Sequence, residues 1–163
     1  AKKLKGDLFL AEKDYDKAIT FYKQTYQIKP TNKVLFLLVD LMKFQKNEAS
    51  AFELLNNELK KNTKNIAIYF KIGNMYQQLK DYKQAETQYN AVLAEDKDNV
   101  LALNNLAWMY YQQDKPEALN FARRAYKKAP DSAYVADTYG TILIKQGDKE
   151  EGLSIIQKAA IEK

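Results

Sequence analysis

The sequence repeats one pattern of residue types about every 34 positions, and five copies of that pattern fill its 163 residues. Glycine recurs at one position of the pattern in three copies, at Gly6, Gly73 and Gly140, and alanine recurs at another, as at Ala18 and Ala85. A fixed period of this length is typical of a solenoid, in which each unit buries its apolar face only against its neighbours. We therefore expect the chain to present a long surface to another molecule.

The spacing of apolar residues within each copy predicts two helices. In the third copy Tyr69, Ile72 and Tyr76 follow the i, i+3, i+7 order of one helix face. Asp14 and Asp81 stand where second helices would begin, and aspartate is a preferred residue for capping the amino end of a helix. The pattern thus predicts ten helices of roughly 12–14 residues, joined by short loops.

The order of residue types resembles the tetratricopeptide repeat, a helix–turn–helix unit of about 34 residues. The third copy carries this order most fully, in Tyr69, Gly73, Tyr76, Ala85 and Tyr89. The resemblance implies an all-α fold, an α-solenoid of five such units that form a right-handed superhelix. It implies a single domain, residues 1–163, in which the units cover about residues 1–32, 33–65, 66–99, 100–132 and 133–163. Because both ends fall near unit boundaries without a polar capping helix, we expect a fragment of a longer array.

A narrower resemblance covers the last two copies. The stretches at residues 102–110 and 136–143 are similar to the closing repeats of bacterial envelope lipoproteins of the exosortase (PEP-CTERM) and exopolysaccharide systems. This similarity implies a bacterial source, and it favours the periplasm or cell envelope over the cytoplasm.

Composition argues against an enzyme. The chain has no cysteine and no histidine, so it lacks thiol chemistry, the commonest general base and the commonest metal ligand. It also has no glycine-rich phosphate loop, no nucleophile motif and no constellation of metal ligands. We therefore expect no catalytic, cofactor-binding or metal-binding residues. No apolar run approaches the roughly 20 residues of a membrane helix, so we expect no membrane insertion by this segment.

The net charge of +5 is unevenly distributed. Residues 1–65 contain 13 lysines and 8 acidic residues, whereas residues 66–163 contain 13 residues of each sign. The lysines are interspersed with acids, which favours a solvated face over an anion-binding surface. The chain has only two arginines, Arg123 and Arg124, so bidentate phosphate recognition is not indicated and nucleic acid is an unlikely partner.

The repeat resemblance also implies a binding surface, because the first helix of each unit lines the concave groove of a tetratricopeptide superhelix. The single tryptophan falls at a groove position, among aromatic and amide residues. The predicted groove residues are Phe70, Asn74, Gln77, Asn104, Asn105, Trp108, Tyr111 and Tyr134. Aromatic side chains favour interface hot spots, and asparagines could pair with a peptide backbone. Alternatively, the tryptophan packs on a neighbouring helix and the asparagines face water.

A second candidate surface lies on the first helix of the second copy. Leu37, Leu41 and Phe44 would form an apolar contact patch there. An apolar patch that stays exposed to water promotes aggregation. Either tight curvature of the chain covers it, or a partner does.

Two functions follow from these features. The first is a protein–protein interaction scaffold that binds a peptide or helix of unknown identity in the concave groove. The alternative is a structural scaffold, a homo-oligomer whose chains stack through open repeat ends, in a bacterial envelope or exopolysaccharide system.

Overall fold

Ten α-helices and no strand are found in residues 2–161, the part of the chain that this computed structural model describes. In chain order they are α1 (Lys2–Ala11), α2 (Tyr15–Ile28), α3 (Asn32–Phe44), α4 (Glu48–Lys61), α5 (Ile66–Gln78), α6 (Tyr82–Glu95), α7 (Val100–Gln112), α8 (Glu117–Lys128), α9 (Ala133–Gln146) and α10 (Lys149–Ile161). The predicted all-α class and its five helix–turn–helix units are confirmed.

Short turns with one left-handed residue separate the two helices of every unit. The left-handed residue has φ between 55° and 61° in four turns and 104° in the fifth. These residues are Lys13, Lys46, Lys80, Asp114 and Gly147. Since non-glycine residues pay a steric cost in this conformation, four of the five turns carry backbone strain.

Two of the predicted helix caps are present. The Asp14 carboxylate accepts a hydrogen bond from the backbone N–H of Lys17 at 3.2 Å, and the Asp81 carboxylate accepts one from Gln84 at 3.2 Å. Each bond satisfies an N–H group that has no partner within its own helix. The caps fix where α2 and α6 begin.

The helices are grouped in two compact units, residues 1–72 and residues 73–163, and α5 contributes residues to both. In the first unit α1 packs against α2, α2 against α3, and α3 against α4. Its core is a cluster of buried side chains, namely Ala18, Tyr22, Val34, Leu38 and Leu41. The single domain expected from the sequence stays a prediction.

In the second unit α7 packs against α6, α8 and α9, and α9 also packs against α8 and α10. A cluster of Leu103, Ala125 and Val135 joins α7, α8 and α9 in its core. Close approach of α9 and α10 depends on two glycines, because a Cβ atom at Gly140 would lie 2.6 Å from the backbone oxygen of Gly152. This packing brings the first helices α7 and α9 side by side.

Candidate functional site

Four polar side chains of the second unit form one hydrogen-bond network. The Tyr89 hydroxyl on α6 donates to the Asn74 side-chain oxygen on α5 at 2.7 Å. The Asn105 amide nitrogen on α7 donates to the same oxygen at 2.8 Å and to the Tyr89 hydroxyl at 3.1 Å. The Tyr134 hydroxyl on α9 donates to the Asn105 oxygen at 2.7 Å. One network therefore ties together side chains from four helices.

Tyr89 lies at the buried centre of this network. Its ring packs against the helix at Gly73, where a Cβ atom would lie only 2.8 Å from a ring carbon. Its hydroxyl also lies 2.6 Å from the Gln77 side-chain oxygen, so its single proton serves one of two acceptors at a time. Burial raises the pKa of the Tyr89 hydroxyl well above its usual range. The hydroxyl is accordingly a neutral donor at physiological pH.

The Tyr134 ring is exposed although its hydroxyl is fixed. The residue is 55% exposed, while its hydroxyl donates to Asn105. Leu101, which is 50% exposed, lies one turn before Asn105 on the same face of α7. The second unit therefore presents an exposed aromatic ring that a hydrogen bond to the buried Asn105 holds in place.

Further along α7, the rings of Trp108 and Tyr111 stack with their centroids 5.1 Å apart, and both residues are half-buried. The Lys145 ammonium on α9 lies 4.6 Å from the Tyr111 ring centroid and pairs with the Asp114 carboxylate. That hydrogen bond raises the pKa of Lys145. A cleft of about 250 Å³ lies beside this pair, lined by Tyr111, Asp114, Lys115, Pro116, Ala118, Ile142, Lys145 and Gln146.

The structure brings four of the eight predicted groove residues together in or beside the network, and Trp108 and Tyr111 form a separate stacked pair. Asn74, Asn105 and Tyr134 share the network, and Gln77 adjoins it. Phe70 belongs to the first unit, where it is half-buried, and its part in the groove stays a prediction.

Asn104 differs most from the sequence-based expectation. Its side chain is 0% exposed, and neither its amide nitrogen nor its oxygen has a hydrogen-bond partner among the described residues. Successive residues of a helix are rotated by about 100°, so the turn of α7 that aims Asn105 into the network aims Asn104 elsewhere. Asn104 is thus a buried residue of the second unit and not a surface group.

The predicted apolar patch of the first unit is mostly covered by the chain itself. Leu41 is buried in the core of that unit, and Leu37 packs against it. Phe44 remains 65% exposed, with its ring centroid 4.8 Å from that of Tyr15. The physical reason is that α3 packs against α2 and turns its leucines into the contact. Of the three residues of the predicted patch, only Phe44 is an exposed apolar side chain.

The repeat pattern predicts Tyr89 as a space-filling aromatic residue and does not reveal its polar role. A signal for it exists, because Gly6 and Tyr22 in the first unit repeat the spacing of Gly73 and Tyr89. There the Tyr22 hydroxyl donates to the Asp7 carboxylate at 2.6 Å. A glycine and a tyrosine at this spacing therefore mark a hydroxyl that reaches the residue directly after the glycine.

No group of three or more acidic, histidine or cysteine side chains within residues 2–161 is placed to hold a metal ion. No helix in the same range is long and apolar enough to cross a membrane.

Two family models, both described as tetratricopeptide repeat, match residues 4–32 and 70–133. A curated relative, the BBSome complex member BBS4 of Bos taurus, is 30% identical over 127 residues. That alignment covers 77% of this chain but 24% of the relative, so the chain spans about a quarter of its length.

Solved structures of low sequence identity share the fold. PilF of Pseudomonas aeruginosa superposes with a TM-score of 0.76 at 14% identity, over 97% of this chain and 74% of that one. MamA of Desulfovibrio magneticus RS-1 superposes with a TM-score of 0.72 at 15% identity, over 96% and 90% of the two chains. With two matching repeat models and five helical hairpins in register, the chain belongs to the tetratricopeptide repeat family.

Proposed function

We propose that this protein is an interaction scaffold whose second unit binds a peptide or a helix on the face formed by α7 and α9. Proteins of this repeat family act as protein-interaction scaffolds, and this proposal assigns the contact surface. The observation that carries it is Tyr134, whose ring is exposed while its hydroxyl is held by Asn105. An exposed aromatic ring that is already fixed loses little entropy on binding.

The surroundings of Tyr134 support the same proposal. Leu101 adds exposed apolar surface one turn before Asn105 on α7, and the stacked pair of Trp108 and Tyr111 follows along the same helix. Tryptophan and tyrosine are enriched among residues that dominate interface energetics. The α7–α9 surface therefore combines apolar anchors with a rigid support.

A displayed library of random peptides, selected on the whole chain, tests this proposal. Selected peptides should bind the wild type and lose about tenfold or more in affinity for Tyr134→Ala and Trp108→Ala, because each change removes aromatic contact area. Leu153→Ala, at an exposed leucine on α10, is the matched control and should bind as the wild type does. Fluorescence polarisation gives the affinities, and circular dichroism checks that each variant folds.

Tyr134→Phe separates the two contributions of this residue. It keeps the ring but loses the hydrogen bond to Asn105, so we expect a smaller loss of affinity than for Tyr134→Ala. Peptides that bind both Tyr134→Ala and Trp108→Ala as tightly as the wild type would place the binding surface elsewhere.

A second candidate function, self-association, is favoured by one observation on α1. Leu4 and Leu8 lie one turn apart on this helix and are both exposed. Leu8→Lys should then reduce the mass measured by light scattering at high protein concentration. A wild type that stays monomeric under those conditions would remove this candidate.

A further inference from the structure

The Asn74 amide has a fixed polarity. Its oxygen accepts a hydrogen bond from the Asn105 nitrogen at 2.8 Å, and it shares the single proton of the Tyr89 hydroxyl, 2.7 Å away, with the Gln77 oxygen. The Asn74 nitrogen donates to no acceptor among the described residues. Unlike the Asn104 amide, this nitrogen is not a fully buried atom without a partner. Because the Asn105 nitrogen holds this oxygen within the network, the half-buried Asn74 presents N–H groups and not a carbonyl.

The Asn105 amide, in contrast, is hydrogen-bonded through both its nitrogen and its oxygen. Its nitrogen donates to Asn74 and Tyr89, and its oxygen accepts from Tyr134. Asn105 therefore acts as a positioning residue that orients Asn74 on one side and the Tyr134 ring on the other. The Asn74 amide and the exposed Tyr134 ring are therefore both bonded to the same side chain, that of Asn105.

The charges around this pair indicate a neutral ligand. None of the 13 residues of α7 is charged. Lys145 on α9 is already paired with Asp114, and the exposed Asp137 lies one turn after Tyr134 on α9. A carboxylate ligand beside Tyr134 would be repelled by Asp137, and the charge of Lys145, the one cation of α9, is already offset by Asp114. A carbonyl oxygen fits the Asn74 donor without that penalty.

Proline-containing peptides combine these properties. Proline lacks an N–H group, so a segment rich in proline offers carbonyl acceptors and few donors. Such segments adopt the polyproline II conformation, in which the carbonyls have no internal partners and little entropy is lost on binding. Their rings pack on exposed aromatic side chains, as in other grooves lined by aromatic residues.

We propose that the second unit binds an extended proline-containing peptide, with Asn74 donating to a main-chain carbonyl and the Tyr134 ring packing against a proline ring. This assignment rests on the proposed function and specifies its ligand. The corresponding position in the first unit is Asp7, a carboxylate that accepts from Tyr22 and Lys3. That position has no N–H group to donate, so the site is specific to the second unit.

A fluorescein-labelled proline decamer with an amidated carboxyl end is the probe, and a glycine–serine decamer of the same length is its control. Polarisation with the whole chain should show binding of the first and not of the second. Asn74→Asp is the decisive variant, because a carboxylate still accepts from Tyr89 and Asn105 but has no N–H to donate. It should weaken binding of the proline decamer about tenfold or more, whereas Leu153→Ala should leave it unchanged.

The outcomes separate this inference from the proposed function. Equal binding of the two decamers, or proline binding that Asn74→Asp leaves intact, overturns the inference. If library-selected peptides without proline nevertheless depend on Tyr134, the proposed function stands and only its ligand is wrong. If neither the decamer nor any selected peptide depends on Tyr134 or Trp108, both the inference and the proposed function are wrong. A requirement for a free carboxyl end on selected peptides also overturns the neutral-ligand assignment.

Discussion

Gly73 and Tyr89 are in direct contact across two helices, and the tyrosine ring fills the space that a side chain at residue 73 would occupy. A Cβ atom there would lie 2.8 Å and 3.0 Å from two carbons of the ring. These distances are too short for non-bonded carbons, and the ring is completely buried. The position of the network therefore depends on the absence of a side chain at residue 73.

Gly73→Ala should lower the free energy of unfolding by about 1–3 kcal/mol, because the added methyl group forces the buried ring to move. Urea denaturation measures the effect. In a Tyr89→Leu background the clash is removed, and the same substitution should be neutral or stabilising by up to about 1 kcal/mol, since alanine favours helix over glycine. Equal effects in both backgrounds would show that the ring contact is not the cause.

Asn104 and Asn105 make a matched pair for stability, because only one of them is bonded. Asn104→Leu should raise the free energy of unfolding by about 1–2 kcal/mol, since it replaces a buried amide that has no protein partner. Asn105→Leu should lower it by a similar amount or more, because Asn74, Tyr89 and Tyr134 each lose a partner. Thermal unfolding followed by circular dichroism compares the stability of the two variants. A destabilised Asn104→Leu variant would mean that the Asn104 amide of the wild type is hydrogen-bonded to water.

The helices were predictable from sequence because their determinants are local. Asp14 and Asp81 cap helices from within the same segment, and the apolar spacing needs no knowledge of neighbouring helices. The site was predictable only in part. Periodicity places Asn104 and Asn105 near one helix face, but the side chains of adjacent helices decide which of the two reaches the network. The burial of Leu41 likewise depends on how α3 packs against α2.

Strain in the turns gives a third prediction. Lys80 has φ of 59°, and Gly147 has φ of 104° at the corresponding turn of the last unit. Lys80→Gly should raise the free energy of unfolding by about 1 kcal/mol, because glycine adopts this conformation without steric cost. Gly147→Ala should lower it by a similar amount through the backbone alone, since no atom lies within 4 Å of the added Cβ. Opposite signs for the two variants in urea denaturation are the expected result.

Tyr26 gives a prediction for alkaline pH. Burial, together with a hydrogen bond to the Glu58 carboxylate, raises the pKa of its hydroxyl from 10.0 to about 12. A raised folded-state pKa means that the folded protein holds this proton more tightly than the unfolded chain. The stability that results is complete below pH 10 and is lost as the pH rises through about 12.

Tyr26→Phe should therefore reduce the steepness with which the urea midpoint falls between pH 10 and about 12. Tyr22, Tyr89 and Tyr110 also have raised pKa values, so the variant should remove one part of this loss and not all of it. Titration of tyrosinate absorbance provides the independent measurement, because one late-titrating group should disappear from the folded protein. An unchanged alkaline slope for Tyr26→Phe would show that Tyr26 ionises alike in the folded and unfolded chains.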